Sequence, residues 1–389
     1  MAPLPFVGRR DVLAAIADAA GRTRHGHGGL LAVTGPAGAG KTRTAEESAT
    51  RTDGFRTLWT WCPPEAAGSP FRPWARLLRD LTAADADCAG LVRASPPLRA
   101  LTEGRTARLL RAPDPEGARL RLTADTADLL RTAAAARPLL IVLDDLHAAD
   151  PSSLHLLLEL AATARNAPLL LLATARDDDA PWAGRTADRA ELLRRARTLP
   201  LGPLTPPDIA RLLAAATGGP ADPDRVGALA RRTGGDAFFL TELLQSPQPM
   251  PAGVRAAVAA RLDTLAAETR RAVRTAAALG TRFPLDTLAR TLGTAPADLR
   301  PRLADAVAAG LLADLGPDTA AFRHDLLREA VQDTVPAADR PALHRRIAAA
   351  LTGDHRADPA ETARHLLLAG PEHRARAAAE ARRAGDRAA

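Results

Sequence analysis

A chain of 389 residues is too long for one ordinary core, and two to three domains are expected. Hydrophobic content of 46% with 25% charged residues excludes a disordered chain and describes a soluble globular protein. The dominance of Ala, Leu and Arg, with 3% aromatics, favours helices. The net charge of +7 and pI near 10.8 raise a nucleic-acid reading, but acids are interleaved with Arg, as in "ADRAELLRRAR". The excess therefore reads as a solvated, ion-paired surface, and direct DNA binding by this chain is not expected.

The opening "MAPLPFVGRR" lacks an apolar targeting core, and runs such as "PLLLLATA" are of strand length and cannot span a bilayer. Cys62 and Cys88 have no paired spacing for a disulfide scaffold or a zinc site and read as free thiols. The expected compartment is the cytoplasm, with no membrane partner. His25 and His27 in "RHGHGG" read as a solvated loop rather than metal ligands.

The first chemical signal is "GLLAVTGPAGAGKTRTAEESA". A short apolar run ends in Gly, an eight-residue Gly-rich stretch follows, and helix formers come next. Strand, Gly-x-x-x-x-Gly-Lys-Thr, helix is the pattern of a phosphate-binding loop. Gly35, Pro36, Ala37, Gly38, Ala39 and Gly40 would wrap the phosphates of ATP or ADP, with Gly35, Gly38 and Gly40 letting main-chain amides approach them, at the positive end of the following helix. Lys41 would reach the β- and γ-phosphates, and the Thr42 hydroxyl would ligate Mg²⁺. Of the 52 Lys plus Arg, Lys41 is the one Lys. A compact ammonium with three rotatable donors fits among crowded phosphate oxygens where a wide planar guanidinium does not.

Further strands are expected at 55–62, 139–144, 168–174 and 197–201. With 29–35 these make a five-stranded parallel sheet with helices on both faces, an α/β P-loop domain over 1–202. A long helix, "ARLRLTADTADLLRTAAAAR", feeds the third strand, "LLIVLDD". Asp144 at that strand's end is the candidate Mg²⁺ carboxylate, and Asp145 the candidate base that orients or deprotonates the attacking water. The second acid is Asp rather than a longer Glu, which points to slow hydrolysis. Asp150 reads as the cap of the next helix, with Pro151 at its first position. Arg176, just beyond the fourth strand, either senses the γ-phosphate or pairs with Asp177–Asp179.

Pro and Gly then punctuate "LGPLTPP" and "GGPADPD", bounding an all-α lid at 203–247, and "QSPQPMPAG" is a linker. From 251 to 352, helices and a hairpin in "LLADLGPDTAAFRH" read as a winged-helix domain. The helix before that hairpin carries as many acids as Args, so a nucleotide-contacting lid is favoured over a DNA reader. Residues 356–389 read as the start of a TPR-like helical segment. One such unit cannot bury its own face, so the chain is expected to be the front part of a longer one.

"FVGRRDVLAAI", the loop, "LDDLHAAD", "ATARD", "GPLTPPDIARLL", "TGGDAFFLTELL" and "FRHDLLREAVQDTVPAADRPALHRRIAAAL" occur in an order that resembles the STAND class of AAA+-related ATPases. More narrowly, the chain resembles the ATPase portion of large ATP-binding LuxR-type transcriptional regulators. The resemblance implies that Phe6, Val7 and Gly8 lie near the adenine, that Pro203 packs on the base, and that His324 reaches the ADP phosphates. By its residues alone, His324 reads as a core or capping histidine. Ala148 stands where relatives often carry Trp.

The resemblance implies a signalling switch, a weak ATPase that self-associates in its ATP state and answers to the sensor and helix-turn-helix regions of a longer parent. The alternatives are an origin-recognition-like loader that grips DNA, or a regulatory module fused to a nucleotide cyclase.

Overall fold

The computed structural model describes residues 4–62, 70–106, 114–178, 180–313, 316–352 and 357–388. Two compact units emerge, Phe6–Pro203 and the residues from Leu204 onward.

The first unit is built on β1 (Gly29–Thr34), β2 (Arg56–Trp61), β3 (Leu139–Asp144), β4 (Leu169–Ala175) and β5 (Arg197–Pro200). All pairings are parallel, and the strand order is β2-β3-β4-β1-β5. The Leu-rich runs would suit helices by propensity alone. Proline punctuates them: the helix Pro115–Ala136 gives way to an extended Arg137 before Pro138, and Pro168 closes the turn that leads from the helix ending at Ala164 into β4. Both prolines sit at the strand mouth, where the missing N–H is harmless and the carbonyl starts the ladder. Arg56 N–H donates to Pro138 O at 2.8 Å and Leu139 N–H to Pro168 O at 2.9 Å.

β3 and β4 are buried throughout, and their alternate residues feed two cores. Leu139, Ile141, Leu143, Leu169 and Leu171 pack with Trp74, Leu129 and Leu157 from the helices Arg72–Ala83, Pro115–Ala136 and Pro151–Ala164. Leu140, Val142, Leu170 and Leu172 pack with Val12, Ile16 and Ala45 from the helices Arg10–Arg24 and Lys41–Thr50. The sheet is thus covered on both faces, as expected. Side-chain caps start several of the helices: Asp85, Ser95, Asp114 and Asp150 each accept from the backbone N–H three residues on. Asp150 is the expected cap, with Pro151 next. Cys62 and Cys88 are free and buried, and burial pushes their thiols up to about 12 and about 11. Among the described residues no helix is long and apolar enough to cross a membrane.

The second unit is mostly helical, with helices at Pro206–Thr217, Pro223–Thr233, Ala237–Gln245, Ala252–Asp263, Ala267–Leu279, Leu285–Leu292, Pro296–Ala308, Asp325–Asp333, Arg340–Thr352, Pro359–Ala369 and Arg374–Ala388. The hairpin expected over 311–324 is present among the described residues: Ala313 N–H donates to Ala321 O at 2.8 Å, Gly316 N–H donates to Thr319 O at 2.9 Å, and Leu312 bridges Phe322. On its other edge β7 (Thr319–Ala321) pairs antiparallel with β6 (Arg282–Pro284), a strand that the sequence reading lacks. A three-residue strand is too short to show a periodicity, which is why β6 escaped notice. Asp314 and Leu315 of that hairpin, and residues 353–356 before the last two helices, lie outside the described residues.

One buried contact gives this unit a pH dependence. His344 Nδ1 and His365 Nδ1 lie 2.8 Å apart, and the Arg364 guanidinium is 2.8 Å from His365 Nε2. A guanidinium only donates, so His365 Nε2 accepts, the His365 proton sits on Nδ1, and that N–H donates to His344 Nδ1. Both rings are neutral in this arrangement. Burial, then the charge of Arg364, pushes His365 down to about 3 and lowers His344 from the ordinary histidine value. The unfolded chain takes up these protons first as pH falls below about 6.5, so the stability the neutral pair contributes is complete above that pH. It declines towards about 3. Thermal melts should therefore drop between pH 7.5 and pH 4.5, and a His344→Leu/His365→Leu double variant should drop by less. An equal drop in the variant would remove the pair from the acid response.

Candidate functional site

The loop between β1 and the helix Lys41–Thr50 needs backbone that side chains resist. Gly40, at the helix cap, has φ 90°. A Cβ on Gly35 would come within 3.2 Å of Leu201 O and 3.3 Å of the Ala39 Cβ. Lys41 is the first helical residue and only 7% exposed. Its Nζ donates to Gly35 O at 2.9 Å and Pro36 O at 2.8 Å, so the ammonium is folded onto its own loop. Burial, and then the charge of Arg176, lowers its pKa, while Asp145, Asp177 and Asp178 oppose that.

β4 lies between β1 and β3, and this places Thr174 at the centre of the site. Thr174 Oγ1 donates to Asp144 Oδ1 at 2.6 Å and accepts from Asp145 N–H at 2.9 Å. Thr42 Oγ1 stands 3.0 Å from both Asp144 oxygens. Burial raises the Asp144 pKa, the two hydroxyls pull it back, and the Asp145 charge adds to the rise. Asp145 has φ 56° and ψ 45°, the left-handed region, and its side chain is 44% exposed. The two acids, adjacent in sequence, therefore occupy different settings: one tied down by hydroxyls, the other free at the surface.

Arg176 follows β4 directly. Its charge lowers both Lys41 and His147, which puts it within electrostatic reach of the loop, and its carbonyl accepts from Trp182 Nε1 at 2.9 Å. Of its expected alternative partners, Asp179 lies outside the described residues.

Phe6, Val7 and Gly8 lie half-buried ahead of Arg9, whose left-handed backbone starts the first helix. The Arg9 guanidinium donates to Ala39 O in the loop at 3.0 Å and to Gly202 O. It thereby ties the Phe6–Gly8 segment and the neighbour of the exposed Pro203 to the phosphate loop. Sequence reasoning missed Arg9 and Thr174. Arg9 stood inside "FVGRRDVLAAI" with no role of its own, and Thr174 was marked only as the end of an expected strand.

His324 lies in the second unit, at the cap position of the helix Asp325–Asp333 without making a side-chain cap bond. Its ring meets Phe239 edge-on at 5.0 Å, and its Nδ1 is buried without a partner. Burial, then Arg261, pushes it down to about 4.

Residues 5–172 match the sequence profile of the AAA ATPase domain. No curated protein sequence matches the chain. The fold is similar to a Walker-type ATPase of Pyrococcus abyssi, at 13% identity and TM-score 0.53 over 84% of this chain and 96% of that one. It is also similar to the ORC2 protein of Aeropyrum pernix, solved in ADPNP–ADP complexes, at 15% identity and TM-score 0.51 over 85% and 95%. A signal transduction ATPase with numerous domains (STAND) and a tetratricopeptide repeat sensor, from Pyrococcus horikoshii, aligns at 16% identity with TM-score 0.39. That alignment covers 94% of this chain and 49% of the other, so the chain spans about half that protein's length. The profile match and the fold support a P-loop ATPase of AAA+ type.

Proposed function

We propose that the chain is the ATP-binding, slowly hydrolysing module of a STAND-type signalling switch in a transcriptional regulator. The observation that carries the nucleotide part is the convergence of Lys41, Thr42, Asp144 and Asp145 at the ends of β1 and β3, bridged by Thr174 of β4. In this reading the loop amides take the phosphates and Lys41 leaves Gly35 O and Pro36 O for the β- and γ-oxygens. Thr42 and Asp144 hold Mg²⁺, and Asp145 takes the proton of the attacking water. The residues fit the ion: the Thr42 hydroxyl stands 3.0 Å from both oxygens of the Asp144 carboxylate, and Mg²⁺ in such sites uses one or two carboxylates, with phosphate oxygens and waters completing its shell. When bound, Mg²⁺ neutralises charge developing on the phosphoryl oxygens.

The self-associating and regulator-fused parts of the reading rest on the resemblance of the sequence motifs, as do the nucleotide roles of Phe6, Val7, Gly8, Pro203 and His324. Slow turnover rests on Asp145 standing in place of a longer Glu, γ-phosphate sensing by Arg176 on its place just beyond a strand end, and the winged-helix and TPR-like assignments of 251–352 and 356–389 on the hairpin and helical patterns of the sequence. The test is Mg²⁺-dependent binding of ATP and ADP together with phosphate release over hours. An absence of nucleotide binding at millimolar concentration would sink the proposal.

A loader that grips DNA is the second reading, favoured by the fold shared with the ORC2 protein. The chain alone is expected to bind duplex DNA weakly at physiological salt and without sequence preference. Nanomolar binding with the steep salt dependence of released counterions would establish the loader instead.

A further inference from the structure

The turn that follows the two acids carries a buried polar atom with nothing to bond. Leu146–Ala148 is a single 3₁₀ turn, anchored by the fully buried Leu146. The His147 side chain is only 10% exposed, and its Nδ1 is shut off from solvent without a hydrogen-bond partner. A buried polar group left in that state is destabilising, so it needs a physical account. The nearest acid is Asp145, whose Oδ1 lies 3.9 Å away, beyond hydrogen-bond distance.

The two side chains differ in freedom. The ring is enclosed, and the turn's backbone is clamped from outside by Arg185, which donates to Ala149 O at 2.6 Å and to His147 O at 3.4 Å. The Asp145 carboxylate is half exposed, and a rotation that moves it about 1 Å brings it onto Nδ1 at a normal length of about 2.8 Å. The ring's own state suits that bond. Burial, followed by the charges of Arg176 and Lys41, pushes His147 down to about 4, so the imidazole is neutral near pH 7 and has one N–H to give.

We propose that His147 is the positioning residue for Asp145: its Nδ1–H takes one oxygen of the Asp145 carboxylate when ATP is loaded and leaves the other directed at the attacking water. The inference rests on the reading of Asp145 as the base. It accounts for a neutral ring kept dry beside three cations, Lys41, Arg176 and Arg185, and for an acid whose left-handed backbone leaves it otherwise unsupported.

The test uses the full chain. His147→Phe keeps the ring volume and removes the hydrogen bond, and His147→Asn restores a donor near the Nδ1 position. Single-turnover hydrolysis should fall roughly ten- to a hundredfold in His147→Phe and recover most of that in His147→Asn. The dissociation constant for a fluorescent ATP analogue should stay within about twofold, and the melting temperature should not fall. In the ring ¹⁵N spectrum of the wild type, the non-hydrolysable analogue ADPNP with Mg²⁺ should shift the His147 Nδ1 resonance, and Asp145→Gly, which removes the acceptor and suits the left-handed backbone, should abolish that shift. Adding His147→Phe to Asp145→Asn should slow hydrolysis no further. Wild-type hydrolysis in His147→Phe, an unmoved Nδ1 resonance, or fully additive losses in the double variant would each overturn the positioning role. If Asp145→Asn itself hydrolyses normally, the base assignment fails first, and the ¹⁵N measurement still decides whether the two side chains meet.

Discussion

Lys41→Ala should weaken ATP binding by up to roughly a thousandfold while the fold survives. Two unit charges about 4 Å apart at an effective dielectric near 20 attract by about 4 kcal/mol, and about 1.4 kcal/mol is tenfold in affinity. The figure is an upper one, because the ammonium must first leave Gly35 O and Pro36 O, which it now satisfies at 2.9 and 2.8 Å. The fold should persist because the helix keeps its Gly40 start, through Thr44 N–H and Thr44 Oγ1 on Gly40 O, each at 2.9 Å. Lys41→Arg should fail almost as badly. Lys41 is only 7% exposed and its Nζ sits between two carbonyls of a tight loop, and a planar fork with five donors cannot take that place without opening the loop. In a protein whose other cations are all Arg, this is the physical reason one position holds Lys. Titration with a fluorescent ATP analogue beside a thermal melt checks both variants. Wild-type affinity in Lys41→Ala would remove the loop from nucleotide binding.

The parts of the fold and site that sequence revealed are those whose causes are local. The phosphate loop announces itself because backbone freedom, the solitary ammonium and the helix start all fall within eight residues. β3 and β4 were legible from short apolar runs behind Pro138 and Pro168, and both strand ends came out within a residue of their structural positions. Asp150 as a cap follows from one residue and its neighbour. What remained hidden depends on topology. Thr174 meets Asp144 across 30 residues because β4 inserts between β1 and β3, and a hydroxyl in "LLLLATA" carries no mark of that. Arg9 reaches Ala39 by the same kind of long-range closure, and the His344–His365 contact joins two helices whose sequences give no sign of it. His147 stood within the "LDDLHAAD" motif, but only its buried, partnerless Nδ1 separates it from an ordinary turn residue.

The second large effect concerns the two adjacent acids. Asp145→Asn should leave nucleotide binding near its wild-type value and slow hydrolysis by about a hundred- to ten-thousandfold, the range for removing a positioned general base. The substitution is well suited to the site. Asn tolerates the left-handed backbone that Asp145 adopts at φ 56°, so no strain is added, and the side chain keeps its size while losing its basicity. Asp144→Asn should behave differently. That carboxylate is 6% exposed and accepts from Thr174 at 2.6 Å, with Thr42 at 3.0 Å. Replacing one oxygen by an amide sets a donor against those hydroxyls and removes the negative charge that would hold Mg²⁺. Binding should then lose its dependence on Mg²⁺, and the melting temperature should fall. Dissociation constants with and without Mg²⁺, read beside single-turnover rates, separate the pair: the rate should fall with unchanged binding at 145, and binding should fall first at 144. Should Asp145→Asn turn over ATP like the wild type, the proton must go elsewhere, and the exposed carboxylate has no part in the chemistry.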